Sequence, residues 1–282
     1  MGASRPWAAM CAAVAMAGAI GVCPAAAQHR PLLTQDPEVI GQGRVLVEAG
    51  IETGANLWYP VSGLTGDRVG VPVGVSIGIG PLAELQIDGG YQWLAIDRRD
   101  LAPLDTRVPP GDRVSDVVDA AVGLKLRLLA EGARRPSVAV RMVTELPNAS
   151  NESGLGLDTL NFGASLLAAK TVGSVRVVGN AGVILLSDVL QGSLQHDAWV
   201  GGVSAARALT GSVDVVAEVT GRRVLFADHP PVGAEPRGQL RGAIRYTRGA
   251  WRADAGIVVG TTRQDPDIGL TVGMTWVADL FR

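Results

Sequence analysis

Ser193, His196 and Asp197 stand close together and supply the residue types of a nucleophile, a base and an orienting acid. Hydrolysis by such a group needs the base within about 3 Å of the hydroxyl, and polar loops are rich in these same residues. Asp97, Asp100, Asp105, Asp112 and Asp116 could offer oxygen ligands to calcium, but Arg98, Arg99, Arg107 and Arg113 interleave with them. No EF-hand spacing is present, and the stretch reads as a solvated, charge-balanced loop. Gly154-Leu155-Gly156 is a fragment of a nucleotide fingerprint with no strand–helix–strand unit around it. The residues therefore predict no enzyme, no metal site and no cofactor.

A second set of charges is placed by regular spacing instead. Glu48 and Glu52, Glu84 and Asp88, Lys125 and Arg127, and Arg241 and Arg245 stand two or four residues apart among apolar neighbours. Arg141, Arg176 and Arg252 fit the same alternation. Residues at i, i+2 and i+4 of a strand share one face, so these eleven are candidates for one common polar surface. Their chemistry would be electrostatic, a transverse field between an acidic and two basic sectors. Glu145, Asp214, Glu218 and Asp254 interrupt the pattern, and Gly70, Pro72, Gly74, Ser76 and Gly78 form a strip with almost no side chain.

The elements that carry these charges are strands. From Val69 to Ile79 a valine or isoleucine falls at every second position with small residues between, a period no helix gives. The same rhythm marks about twelve segments of ten to fifteen residues, longer than the five or six of a soluble strand and enough for a tilted membrane crossing. Short connections are expected near Gly80-Pro81, 130–136, 170–173, Thr210-Gly211 and 247–250. Longer ones are expected near 54–67, 96–115, 147–158, 187–196 and 222–236, with 263–266 a brief exception. Short periplasmic turns opposite long extracellular loops mark a transmembrane barrel. In hydrocarbon an unpaired backbone group costs several kcal/mol, so the sheet must close. The predicted fold is all-β, a transmembrane antiparallel up-and-down β-barrel of about 12 strands, with the charged face inward and a backbone radius of roughly 12 Å.

Aromatic residues supply an independent check. Trp58, Tyr59, Tyr91, Trp93, Phe162 and Trp199 fall at the outer ends of the predicted strands, and Tyr246, Trp251 and Trp276 toward the inner ends. Two belts at headgroup level are the expectation, although Tyr246 and Trp251 could instead be a simple cross-strand pair.

Residues 1–27 read as an export leader. Arg5 is followed by an Ala-rich apolar run from Trp7 to Val22, and Ala25-Ala26-Ala27 fits a cleavage site. Val22 and Pro24 flank Cys23 unlike a lipid-attachment site. Both cysteines, Cys11 and Cys23, lie in the leader, so no disulfide braces the remainder. With 25 Lys and Arg against 27 Asp and Glu and no basic run, nothing suggests a nucleic-acid partner. The 37 glycines sit within apolar segments rather than linkers, as in strands that bend or approach another chain closely. The expected division is a leader (1–27), a periplasmic N-terminal segment (28–43) and the barrel (44–282).

Several motifs also carry a resemblance. Arg30-Pro31-Leu32-Leu33-Thr34-Gln35-Asp36-Pro37, Gly41-Gln42-Gly43-Arg44, Gly80-Pro81-Leu82-Ala83-Glu84-Leu85, Gly123-Leu124-Lys125-Leu126-Arg127-Leu128 and Glu145-Leu146-Pro147 resemble an outer-membrane transporter family, the MetA-pathway of phenol degradation family. That resemblance implies a barrel passing small hydrophobic or aromatic molecules. The chain departs from it in its few aromatics and in the ending Val277-Ala278-Asp279-Leu280-Phe281-Arg282, an irregular signal for barrel-assembly machinery. The expectation is a cell-outer-membrane channel or transporter for passive passage of small solutes, with outer-membrane lipid, a small-molecule solute and the assembly machinery as partners. The alternatives are a non-conducting structural or loop-presenting barrel, in which residues 28–42 pack on the glycine strip as a plug, and a soluble exported β-barrel or sandwich.

Overall fold

A computed structural model describes residues 30–103, 108, 110–225 and 229–280. The leader and Asp105 lie outside them. Twelve strands follow in order: β1 (Arg44–Tyr59), β2 (Leu64–Gly78), β3 (Ala83–Arg99), β4 (Arg113–Leu129), β5 (Ser137–Glu145), β6 (Asn161–Val172), β7 (Val175–Ser187), β8 (Gln195–Ala208), β9 (Val213–Val224), β10 (Arg237–Arg248), β11 (Trp251–Gly260) and β12 (Gly269–Asp279). Each pairs antiparallel with its neighbour, and β1 pairs with β12 to close the barrel. Closure leaves no strand edge unpaired, which is what a strand in hydrocarbon requires.

The barrel is apolar outside and polar inside. Ile51, Val73, Ile87, Leu166, Val203, Val219, Ile244, Ile257 and Val272 stand exposed on the outer surface. Glu48, Glu84, Gln86, Lys125, Thr271 and Thr275, on the opposite parity, are buried. A water-soluble sandwich would place these sets the other way round, so the faces assign the surroundings as a bilayer.

Two expectations need correction. The first outer connection is short, residues 60–63, because β1 and β2 run on past the sheet's middle instead of giving way to a loop. Gly63 turns it with φ +68°. The outer connections 100–112, 146–160 and 225–236 are long, as the alternation predicted, whereas 188–194 is no longer than the inner turn 130–136, and the last, 261–268, is longer than the brief one expected at 263–266. Tyr59 does not join the outer belt. A bulge between Gly54 and Leu57 shifts β1 by one position, which turns Tyr59 inward, where its hydroxyl donates to Gln92 Oε1 at 3.3 Å. Trp93 and Phe162 stay on the outside near the outer ends, and Trp251 and Trp276 pair across strands near the inner end, ring centres 5.9 Å apart. Tyr246 faces Ala253 across β10 and β11, not Trp251.

Candidate functional site

The alternation of each strand turns all eleven charged candidates toward the lumen, and most meet a counter-charge there. Glu52 accepts from Arg241 at 2.6 Å and lies 3.5 Å from Arg68. Lys125 and Glu84 are 3.2 Å apart and sealed from solvent. Arg141 donates to Gln86 Oε1 at 2.7 Å and lies 3.9 Å from Asp88. Arg245 stands in register with Asp214 on one side and Asp254 on the other. Arg252 donates to Thr247 Oγ1 at 3.2 Å, and Glu48 accepts from Thr275 Oγ1 at 2.9 Å. The segregated sectors are therefore much more neutralised than their spacing alone suggests.

The rest of the neutralisation comes from residues 30–43. The sequence placed this stretch ahead of the barrel as a periplasmic segment, with packing on the glycine strip as the alternative, and its described part runs inside the wall. It leaves the lumen at the mouth where β1 begins and β12 ends, where the Gly43 N–H donates to Gly78 O at 2.9 Å. Its charges match the sectors they meet. Asp36 takes a two-pronged contact from Arg176 and its carbonyl accepts from Lys125 at 3.2 Å, while Glu38 pairs with Arg127. On the acidic side Arg30 reaches Thr271 Oγ1 at 3.1 Å and Asp254 at 3.4 Å.

Backbone groups complete the docking. The Leu33 and Thr34 N–H groups donate to Glu218, Gln35 N–H to Asn180 Oδ1 at 2.7 Å and Ile40 N–H to Glu84 at 2.9 Å. Arg241 donates to the Pro31 carbonyl at 2.9 Å, and Thr34 meets Ser204 at 2.7 Å. In all, the segment bonds to β1–β4 and β7–β12. A chain with no sheet of its own must satisfy its buried polar groups in this way.

Glycines make room for it. Gly50 and Gly273 are register partners on β1 and β12, and a Cβ on either would come within 2.3 Å of the Arg30 guanidinium. A Cβ on Gly78 would lie 1.7 Å from Gly41 O. The glycine strip of β2 is thus occupied at its inner end and open farther up, where a space of ≈ 160 Å³ lies beside Glu52, Pro72, Gly74 and Asp88.

Loops meet over the other mouth. A Cβ on Gly233 would lie 2.8 Å from Val189, 3.6 Å from Val61 and 3.7 Å from Leu157, so residues of four outer connections converge there. Ser62 Oγ donates to the Gly154 carbonyl at 2.7 Å, which ties the Gly154-Leu155-Gly156 stretch to the first hairpin. A chamber of ≈ 370 Å³ lies in the lumen, floored by Leu33, Thr34 and Gln35 and walled by Arg141, Arg222 and Arg237 among others.

The catalytic candidates are not brought together. His196 Nε2 lies 2.8 Å from Asp188, while Asp197, one residue on, faces the opposite side of β8. In that outer loop the His196 hydrogen bond draws the Asp188 carboxyl below its usual range, and in the connection between β9 and β10 burial pushes Glu235 up. Of the acidic loop, Asp100 pairs with Arg98 and Arg263, and Asp116 accepts from Ser150 and Ser153. Among the described residues no group of three or more potential metal ligands forms. On the inner side, burial raises Glu131 but the Thr171 N–H, Arg176 and Lys170 outweigh it and hold its carboxyl at about 2. Arg176 thereby joins this inner turn to Asp36 of the segment.

Sequence reasoning missed Arg30, Asp36, Glu38, Gln86, Asn180, Arg222 and Arg237. The last four have the inward parity of the residues that were singled out, and the alternation could have found them. The first three lie where no periodicity exists.

No family model matches the chain, and no curated protein does, so the resemblance stated above rests on its motifs alone. Solved structures share the fold. An outer-membrane channel from Pseudomonas putida F1 is 9% identical, with 86% of this chain and 98% of that one aligned and a TM-score of 0.61. The NanC porin is 8% identical, with 83% and 98% aligned and a TM-score of 0.51. With its lipid-facing exterior and closed sheet, the chain is an outer-membrane β-barrel.

Proposed function

We propose that the barrel is a passive channel for small solutes, with the inward charges as selectivity elements and residues 30–40 as its constriction. One observation carries this reading. The lumen holds a chamber floored by a single thickness of chain at Leu33–Gln35, the outer connections converge over the mouth, and neither the segment nor those connections belong to the sheet. Glu52, Asp88, Arg141 and Arg241 border the open spaces and would act on a passing solute, whereas Glu84 and Lys125 are sealed and would hold the segment. The motif resemblance points to hydrophobic or aromatic cargo. Removal of residues 1–27 on export and insertion by barrel-assembly machinery belong to the same reading, and catalysis does not.

A non-conducting structural barrel is the second reading, favoured by the many bonds of the segment and the convergence of the loops. Conductance in planar bilayers separates the two. The wild type is expected to conduct in small steps, and a variant lacking residues 30–40 severalfold more. Folded protein that passes no current in either form overturns the channel. Ion selectivity unchanged in Arg141→Ala/Arg241→Ala/Arg245→Ala overturns the role of the charges.

A further inference from the structure

The chamber of ≈ 370 Å³ contains an arrangement that the paired charges elsewhere in the lumen do not share. Arg222 of β9 and Arg237 of β10 are register partners, so both side chains stand on the same face of the sheet, side by side. Like charges directly opposite one another destabilise a strand pair. The Arg222 Nε is buried and has no hydrogen-bond partner among the described residues. A buried guanidinium donor left unmade costs free energy that a bound acceptor would recover.

Among the described residues no acceptor reaches that Nε, although the carboxylates of Glu145 and Glu235 stand near enough to act on the Arg222 guanidinium through their field. Asp265 is the carboxylate on its wall, and its oxygens are already taken by the Gly238 N–H at 2.7 Å, Thr262 Oγ1 at 2.6 Å and Gln239 Nε2 at 2.9 Å. Arg141 adds a third guanidinium, so cations outnumber anions on the lining. Leu33, Leu167 and Val200 add an aliphatic part to a lining that otherwise carries Thr34, Gln35, Ser165, Asn180, Thr220 and Gln239. A ligand that fits both parts has a planar anion at one end and a short hydrocarbon body at the other.

We propose that this chamber binds small organic carboxylates, with the carboxylate between Arg222 and Arg237 and the hydrocarbon over Leu33, Leu167 and Val200. A guanidinium fork matches a carboxylate in geometry as well as charge. The proposal rests on the solute-pathway reading and names the class of solute that would pause there.

Equilibrium dialysis of labelled pentanoate against detergent-solubilised full-length protein, corrected for detergent alone, tests it. Pentan-1-ol serves as the neutral counterpart and inorganic phosphate as the competitor without a hydrocarbon body. Heat-modifiable gel mobility verifies that each variant is folded. Saturable pentanoate binding is expected, tighter than that of pentanol and weakened about tenfold or more in Arg222→Gln/Arg237→Gln. Arg237→Gln alone, at an exposed strand end, gives the same direction if the double variant does not fold. Arg223→Gln, on the opposite face of β9, leaves binding unchanged.

Absence of saturable binding, or binding indifferent to Arg222 and Arg237, overturns the site. Phosphate displacing pentanoate at equal or lower concentration overturns the carboxylate assignment. Binding without conductance removes the channel and leaves the site, and conductance without binding does the reverse.

Discussion

Lys125 and Glu84 are fully buried, and each keeps further contacts: Lys125 with the Asp36 carbonyl, Glu84 with the Ile40 N–H and the Gln86 amide. Removing one member of such a pair strands the other charge, whereas replacing both by neutral groups of similar volume is often tolerated. Lys125→Ala is therefore expected to destabilise the barrel by about 3–5 kcal/mol, and Lys125→Met/Glu84→Gln far less, in urea unfolding from liposomes. Equal losses in the two variants would contradict this account. A glycine carries the companion prediction. Gly273→Ala sets a methyl group into the Arg30 guanidinium, which must leave its seat. Single-channel conductance should rise severalfold, while Gly242→Ala, whose Cβ would meet nothing within 4 Å, should change little. At this scale the sequence was informative about which residues face inward and not about which of them pair. Glu52 and Arg241 could be assigned inward by parity, but nothing in their spacing shows that they bond to one another across the lumen at 2.6 Å.

The turn between β4 and β5 shows what an element can hold. Glu131 accepts from the Thr171 N–H at 2.8 Å and from Arg176 at 2.8 Å, and lies 3.3 Å from Lys170. Its carboxyl is held at about 2, below the usual 4.5. A carboxylate lowered on folding stabilises fully above its unfolded value, and that contribution is lost as pH falls through the folded one. Hydrogen exchange at the Thr171 amide should thus be slow and level above about pH 4.5, once corrected for intrinsic rates, and lose protection as pH falls toward 2. Glu131→Gln should flatten that profile, and protection unchanged down to pH 2 would refute it. Elements were the most legible part of the sequence, because facing toward lipid repeats at every second residue in twelve segments. The bulge of β1 was not legible, since one extra residue between Gly54 and Leu57 leaves no mark in the apolar pattern yet reverses Tyr59. The bonds of residues 30–43 were not legible either, although their packing on the glycine strip stood among the alternatives. Many of their bonds to the wall use backbone N–H and C=O groups, which leave no mark in a sequence.

For the whole molecule the governing fact is the inversion of its surface, apolar outward and charged inward. Ile244 stands 57% exposed near the middle of β10, where a bilayer is deepest. Ile244→Arg should cost about 2–4 kcal/mol in a lipid-refolding equilibrium, and a change near zero would contradict the lipid-facing assignment. The closed twelve-stranded outline was readable from length and alternation; the filled lumen stood only as an alternative, and its contacts were not readable, since they depend on strands far apart in sequence meeting around one stretch of chain. The seat of Arg30 shows what that implies for biogenesis. Its two glycines belong to the first strand and the last, so the niche is created only when the seam between them zips shut. The stretch that is translated before any of the barrel is consequently among the last to find its place. A chain stalled short of β12 would have most of the segment's partners in place and no niche for Arg30.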